Sequence, residues 1–169
     1  MDYLGHRLLP HTLQVLEKNV EAIRKANAPT SKTQVRSFLG LCGVYRRFVP
    51  NYATIAKPLT ALTKKGSAET FSLTPDQYDA FEALKSSLTS PPTLSLPREG
   101  RPSAIETDAS DSQIGCVLQQ SDENGIWHPL GYWSRQLSAA EHNYSATEKE
   151  ALAIVWAVTH LRPYVERTN

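Results

Sequence analysis

The hydrophobic period of this chain changes at Pro91-Pro92. From an N-terminal hairpin to that point apolar residues recur at helical spacing, and after it they alternate as they do in strands until a last helix. A run of helices followed by a run of strands reads as an α+β architecture. In the front part, short apolar runs over 3–8 and 13–15 flank Pro10-His11-Thr12 and predict a hairpin. A helix is expected over 17–26, with Val20 and Ile23 on one face and Asn27-Ala28-Pro29 as its stop. Ser31-Lys32-Thr33-Gln34 has capping-box spacing and opens a second helix through Val35, Phe38, Leu39, Leu41 and Cys42. After the break at Pro50-Asn51, Tyr52, Ile55, Leu59 and Leu62 mark a third helix ending near Gly66, with a kink or break expected at Pro58. Thr74-Pro75-Asp76-Gln77 opens a fourth, with Pro at the first helical position, carrying Phe81, Leu84 and Leu88 to a stop at Pro91-Pro92.

Behind the change of period lie a linker near 91–101, three strands over 103–108, 114–119 and 127–134, and a last helix over 146–165. Turns are expected at Ser110-Asp111 and at Asp122-Glu123-Asn124-Gly125. Tyr3, Tyr45 and Phe48 read as core residues, as do Trp127, Trp133 and Trp156. Cys42 and Cys116 stand far apart without CxxC spacing. Neither a disulfide framework nor a zinc site is expected, and an intracellular setting, cytoplasm or nucleus, fits better. No apolar run reaches membrane-spanning length, and Met1 is not followed by a signal peptide.

The near-neutral net charge of +1 hides an asymmetry. Eleven of the 18 Lys/Arg but only three of the 17 Asp/Glu fall in residues 1–65, a charge of +8 against −7 for the remainder. A basic front beside an acidic rear suits a part that holds a polyanion and a part that holds cations, although two solvated surfaces of opposite sign would read the same.

Two stretches concentrate the carboxylates. Glu106-Thr107-Asp108-Ala109-Ser110 reads as a buried strand running into a turn, and Thr147-Glu148-Lys149-Glu150 opens an apolar helix. Acidic groups in such places are costly unless they bind something positive, and a divalent metal is the usual partner. Capping is the competing role for the second pair, since Glu148 follows Ser145 by three residues and Glu150 follows Thr147 by three. Glu150 shares a side with Ile154, Ala157 and Leu161, while Glu148 flanks the other edge through Leu152 and Val155. Periodicity leaves both open.

Taken in order, Tyr3-Leu4-Gly5-His6, Arg36-Ser37-Phe38-Leu39-Gly40-Leu41-Cys42, Tyr45-Arg46-Arg47-Phe48 and Ile55-Ala56-Lys57-Pro58-Leu59-Thr60 resemble the reverse transcriptase of Ty3/gypsy-type retrotransposons. The likeness continues through Phe81-Glu82-Ala83-Leu84-Lys85, Glu106-Thr107-Asp108-Ala109-Ser110, Tyr132-Trp133-Ser134-Arg135 and Tyr144-Ser145-Ala146-Thr147-Glu148-Lys149-Glu150.

The resemblance implies a helical thumb-like subdomain with an N-terminal hairpin, then a truncated ribonuclease H-like α/β domain of three antiparallel strands plus a helix. Residues 1–16 would be the end of the polymerase palm and its primer grip, 17–66 the thumb, 67–100 a connecting helix and linker, and 101–169 a partial ribonuclease H-like domain. It implies metal-dependent hydrolysis of the RNA strand of an RNA–DNA hybrid, with two Mg2+ or Mn2+ ions bridging the scissile phosphate. Asp108 matches the family's first ligand. The ligand that directly precedes the apolar run of the last helix matches Glu150, which leaves Glu148 as a cap. The implied nucleic-acid contacts are Leu4, Gly5 and His6 in the primer grip, Arg36, Arg46, Arg47 and Lys57 (with Lys64 and Lys65) on the thumb, and Ser110, for which turn capping is an equal alternative. The third ligand would follow Asn169 in a Thr-Asp-His context, and its strand would cover the first strand of the sheet, leaving an exposed edge here. The family's YxDD polymerase motif does not occur. The expectation is therefore a piece of a Pol polyprotein that binds hybrid or template–primer duplex and is itself inactive. A non-catalytic nucleic-acid-binding module derived from a retroelement is the alternative.

Overall fold

The structure, a computed structural model, describes residues 1–3, 5–90 and 93–166. Leu4 and the helix stop expected at Pro91-Pro92 lie outside them. Strands β1 (Asp2–Tyr3), β2 (His6–Leu9) and β3 (Thr12–Val15) run antiparallel, with His6 opposite Val15 and Leu9 opposite Thr12. Gly5 at φ 85° separates β1 from β2, and His11 at φ 66° makes the turn into β3. The linker contributes a strand that periodicity missed: β4 (Leu94–Ser95) pairs with β3 and completes a sheet of order β1-β2-β3-β4. Two residues are too few to show alternation.

Four helices share one core with this sheet. They are α1 (Glu17–Arg24), α2 (Lys32–Val44), α3 (Tyr52–Ala61) and α4 (Pro75–Thr89). Both expected N-caps form: Ser31 accepts from the Gln34 N–H, and Thr74 with Gln77 closes a full capping box. Gln34 instead turns its carbonyl to Thr30, so the reciprocal half of the first box is absent. α3 runs through Pro58 without the expected break. Pro58 removes only the donor for the Thr54 carbonyl, and Thr54 is exposed to water. The fourth helix is not a free connector. Phe81, Leu84 and Leu88 join Ile23, Phe38, Phe48 and Leu59 in one core, with the Phe38 and Phe81 rings 4.7 Å apart.

The rear sheet has order β5 (Ser103–Ala109), β6 (Gln113–Ser121), β7 (Trp127–Gln136), so β5 is an edge strand among the described residues. Helix α5 (Ala146–Val165) covers one face through Ala153, Ala157 and Leu161. The bulkier Ile154, Val155 and Val158 face outward at 53%, 64% and 57% exposure. Trp133 and Trp156 pack against the rear core as expected. Trp127 does not: at the start of β7 it is 44% exposed.

A seam of named bonds joins the two parts. Arg46 donates to the Ser134 carbonyl at 2.8 Å and Arg47 to the Leu130 carbonyl at 3.2 Å. The Ala53 N–H reaches Ser134 Oγ at 3.0 Å, and Gln113 Nε2 reaches Asn51 Oδ1 at 3.0 Å. Arg47 also lies over the rings of Trp133 (4.8 Å) and Tyr164 (5.3 Å). Its seat depends on Gly131, where a Cβ would stand 2.8 Å from the Trp133 ring and 3.1 Å from Arg47 Nε.

Candidate functional site

Asp108 lies one residue before the end of β5, opposite Gly115 of β6. Ile105 and Ala109 pack towards α5, so strand alternation sends Glu106 and Asp108 to the other face. That face looks towards the helical front. Asp108, Glu106, Gly115, Asn51 and Tyr132 line a cavity of about 230 Å³. The first carboxylate stretch is therefore not buried, as the sequence had suggested. Both acids are exposed, because β5 is an edge strand and one of its faces borders a cavity. Glu106 accepts a 2.5 Å bond from Gln119 on the neighbouring strand, whereas among the described residues no ion pair or hydrogen bond engages the Asp108 side chain.

Ser110 is occupied by the turn. Its hydroxyl accepts from the N–H groups of Ser112 (3.4 Å) and Gln113 (3.2 Å), and its own N–H donates to the Gln113 carbonyl.

At the start of α5 the two glutamates take separate roles. Glu148 closes a capping box: its carboxylate accepts from the Ser145 N–H at 2.8 Å, and its N–H donates to Ser145 Oγ at 3.3 Å. The Ser145 N–H, and then its hydroxyl, hold the Glu148 carboxyl below its ordinary range. Glu150 lies two residues further on, past the first turn, exposed and with no side-chain bond among the described residues. Lys149 between them is buried at 8% exposure, and its Nζ lies 3.3 Å from Asp111 Oδ1. His142 Nδ1 bonds the Asp111 carbonyl at 2.9 Å. These contacts tie the turn after Asp108 to the helix that carries Glu150. Lys149 and Asp111 went unread in the sequence, though a signal was present: Lys149, Ala153, Ala157 and Leu161 form one row at spacing four.

Oxygen donors such as Asp108 and Glu150 suit Mg2+ or Mn2+. Among the described residues no group of three or more His, Cys, Asp or Glu side chains could hold an ion. In donor type Asp108 and Glu150 suit such ions; Asp108 lies on one face of the sheet and Glu150 on the helix covering the other.

The basic residues also divide. Arg36 on α2 is exposed and donates to the Thr63 carbonyl at 3.2 Å, which sets its charge beside the exposed Lys64-Lys65 turn. Lys57 on α3 is exposed. Arg46 and Arg47 are in the seam. In the hairpin, the Gly5 carbonyl accepts a 2.7 Å bond from Tyr45 Oη, and the His6 ring stacks on Phe48 with centroids 5.8 Å apart. Cys42 and Cys116 are buried and free, and burial pushes their thiols up to about 12 and about 11. No described helix is long and apolar enough to cross a membrane.

Comparison with known proteins agrees with this architecture. A family model described as an RNase H-like domain found in reverse transcriptase matches residues 73–169. The retrovirus-related Pol polyprotein from transposon 297 of Drosophila melanogaster is 43% identical over 97% of this chain, and the transposon Tf2-3 polyprotein of Schizosaccharomyces pombe is 33% identical over 98%. The chain spans 15% and 12% of the length of these relatives. Solved structures of a foamy viral protease-reverse transcriptase share the fold. One, with double-stranded DNA, has a TM-score of 0.81 over 96% of this chain and 28% of its own. Another, with an RNA/DNA hybrid, has a TM-score of 0.80 over 95% and 22%, and both are 21% identical. This chain therefore belongs to the RNase H-like domain family found in reverse transcriptase, among its Ty3/gypsy-type retrotransposon members.

Proposed function

We propose that the chain serves within a longer retroelement Pol polyprotein, where it helps hold a nucleic-acid duplex and supplies two ligands for metal-dependent cleavage of the RNA strand of an RNA–DNA hybrid. The observation that carries this reading is the pair of exposed, unengaged carboxylates, Asp108 and Glu150, on elements tied together through Lys149 and Asp111. Divalent ions bound there would activate water and stabilise the leaving oxygen. The protein's own part is positional: β5 and α5 present the carboxylates, while Glu148 is held by its cap. Arg36, Lys57, Lys64 and Lys65 offer phosphate contacts on the thumb-like helices. Gly5 and His6, braced by Tyr45 and Phe48, form the primer-grip turn in this reading, with Leu4 beside them in sequence. Arg46 and Arg47 hold the two parts in register, so the duplex is presented to the rear sheet at a fixed offset. Residues 1–16, 17–66, 67–100 and 101–169 take the palm-end, thumb, connecting and partial ribonuclease H roles, in a cytoplasmic or nuclear setting.

The test separates metal binding from turnover. Mn2+ added to the isotopically labelled chain should broaden amide signals around both Asp108 and Glu150, and Asp108→Asn should abolish the effect. Broadening elsewhere, or none, would overturn the assignment. The second reading is a binding module without cleavage of its own, and it is favoured by the exposed cations Arg36, Lys57, Lys64 and Lys65 of the front part. On that reading the isolated chain binds hybrid with a strong salt dependence and shows little Mg2+-dependent cleavage. Robust cleavage, lost in Asp108→Asn, would exclude it.

A further inference from the structure

A second groove lies on the other side of the rear sheet, away from Asp108. It measures about 490 Å³ and runs between the end of α2, β7 and α5. Three arginines line it (Arg46, Arg47 and Arg135), and no carboxylate does. Glu141 pairs with Arg135 through two bonds of 2.8 and 2.9 Å. No carboxylate answers Arg46 or Arg47 among the described residues, and Arg47 Nε is buried without a hydrogen-bond partner. The groove therefore carries a surplus of positive charge.

Its aromatic residues are ordered. Trp156, His160 and Tyr164 occupy one row of α5 at spacing four, so their rungs are about 6 Å apart along the helix. Arg135 lies over the Trp156 ring at 5.8 Å, and His160 stacks on Trp156 with centroids 5.4 Å apart and planes 22° apart. Arg47 lies over Trp133 and Tyr164 in the second layer. The inner rings are thus already covered, whereas His160 is exposed and caps its stack. A cationic wall beside a ring stack with an exposed outermost member suits a ligand that alternates anionic groups with flat rings.

We propose that this groove binds single-stranded nucleic acid, with a base continuing the Trp156–His160 stack and the backbone phosphates against Arg46. The site rests on the nucleic-acid role proposed above but not on the metal ligands, and it takes an unpaired strand rather than a duplex.

The test uses the 169-residue chain, with tryptophan fluorescence read against short oligo(dT), oligo(rU) and an abasic deoxyribose-phosphate strand of equal length. Base-bearing strands should bind at least about fivefold more tightly than the abasic strand. His160→Ala should remove that advantage and His160→Tyr should restore it, which separates stacking from a folding defect. Arg46→Gln should lower the slope of log affinity against log salt by about 0.7. Comparing oligo(rU) with oligo(dT) tells RNA from DNA preference. Equal affinity for abasic and base-bearing strands, or an unchanged response in His160→Ala, would overturn the base site, and an unchanged salt slope would overturn the phosphate contact. An RNA–DNA duplex titrated alongside keeps the two proposals apart. Duplex binding with no base-dependent single-strand binding removes only the groove, and the reverse result removes only the duplex role.

Discussion

Among the described residues, seventeen buried side chains make one continuous core in the front part, while the buried apolar residues packed around the rear sheet divide into clusters of five and three. The front gathers four helices and a sheet around large groups such as Phe38, Phe48 and Phe81. The rear relies on the slender row of α5, where Ala153 and Ala157 meet the sheet and the bulkier Ile154, Val155 and Val158 face water. Since stability follows the apolar area withdrawn from water, the front should be the stronger unit, and the rear should lean on the seam.

The largest test of that contrast is Phe81→Ala, which should cost about 3–5 kcal/mol in a urea melt. A smaller loss than that of Leu161→Ala would reverse the ranking of the two parts. Arg47→Ala should cost about 1–3 kcal/mol by removing a charged hydrogen bond and two ring contacts. It should also split the transition. All three tryptophans lie in the rear part, Trp133 of them against the seam, while helical circular dichroism reports mainly on the front, so the two signals should cease to coincide. Coincident curves in Arg47→Ala would mean that the rear does not depend on this residue. Ser145→Ala, which opens the α5 capping box, should cost about 1 kcal/mol, visible as faster amide exchange in the first turn of α5 and little change in α4.

Acid should produce the mildest effect. The Arg135 guanidinium holds Glu141 down to about 2, and His128 holds Asp122 down to about 2. Carboxylates lowered in the folded state add stability above their ordinary values, near 4.5 and 3.8, and lose it as pH falls towards 2. Both are in the rear part, so tryptophan emission should change across that window before helicity does. Glu141→Gln should flatten the change.

Local chemistry made the helices legible in the sequence. Thr74 and Ser145 each announce a helix through a side chain three residues from its partner, and both capping boxes form. β4 escaped because a two-residue strand is defined by a partner some 80 residues away. Pro58 did not break α3 because the cost of proline depends on whether the stranded carbonyl meets water, which is a tertiary fact. The candidate site was readable as residue types and not as geometry. Asp108 and Glu150 could be named from their motifs, but their placement depends on which face of the sheet α5 covers. The burial inferred for the first stretch failed for the same reason, since an edge strand reads like an inner one until its neighbours are known. Arg46 and Arg47 read as phosphate contacts, and nothing local reveals that their guanidinium groups reach carbonyls on β7.

The seam has a consequence for how such a chain can change over time. Arg46 and Arg47 end on the carbonyls of Ser134 and Leu130, and Gln136 ends on that of Ala53. Every residue type carries that acceptor, so these three bonds ask nothing of the side chains they end on; Leu130 answers instead to the rear core and Ser134 to the Ala53 N–H. Gly131 is asked for a particular identity, because a Cβ there would meet the Trp133 ring. The joint is thus written mostly in backbone, which lets the two parts diverge at different rates without losing their grip on each other.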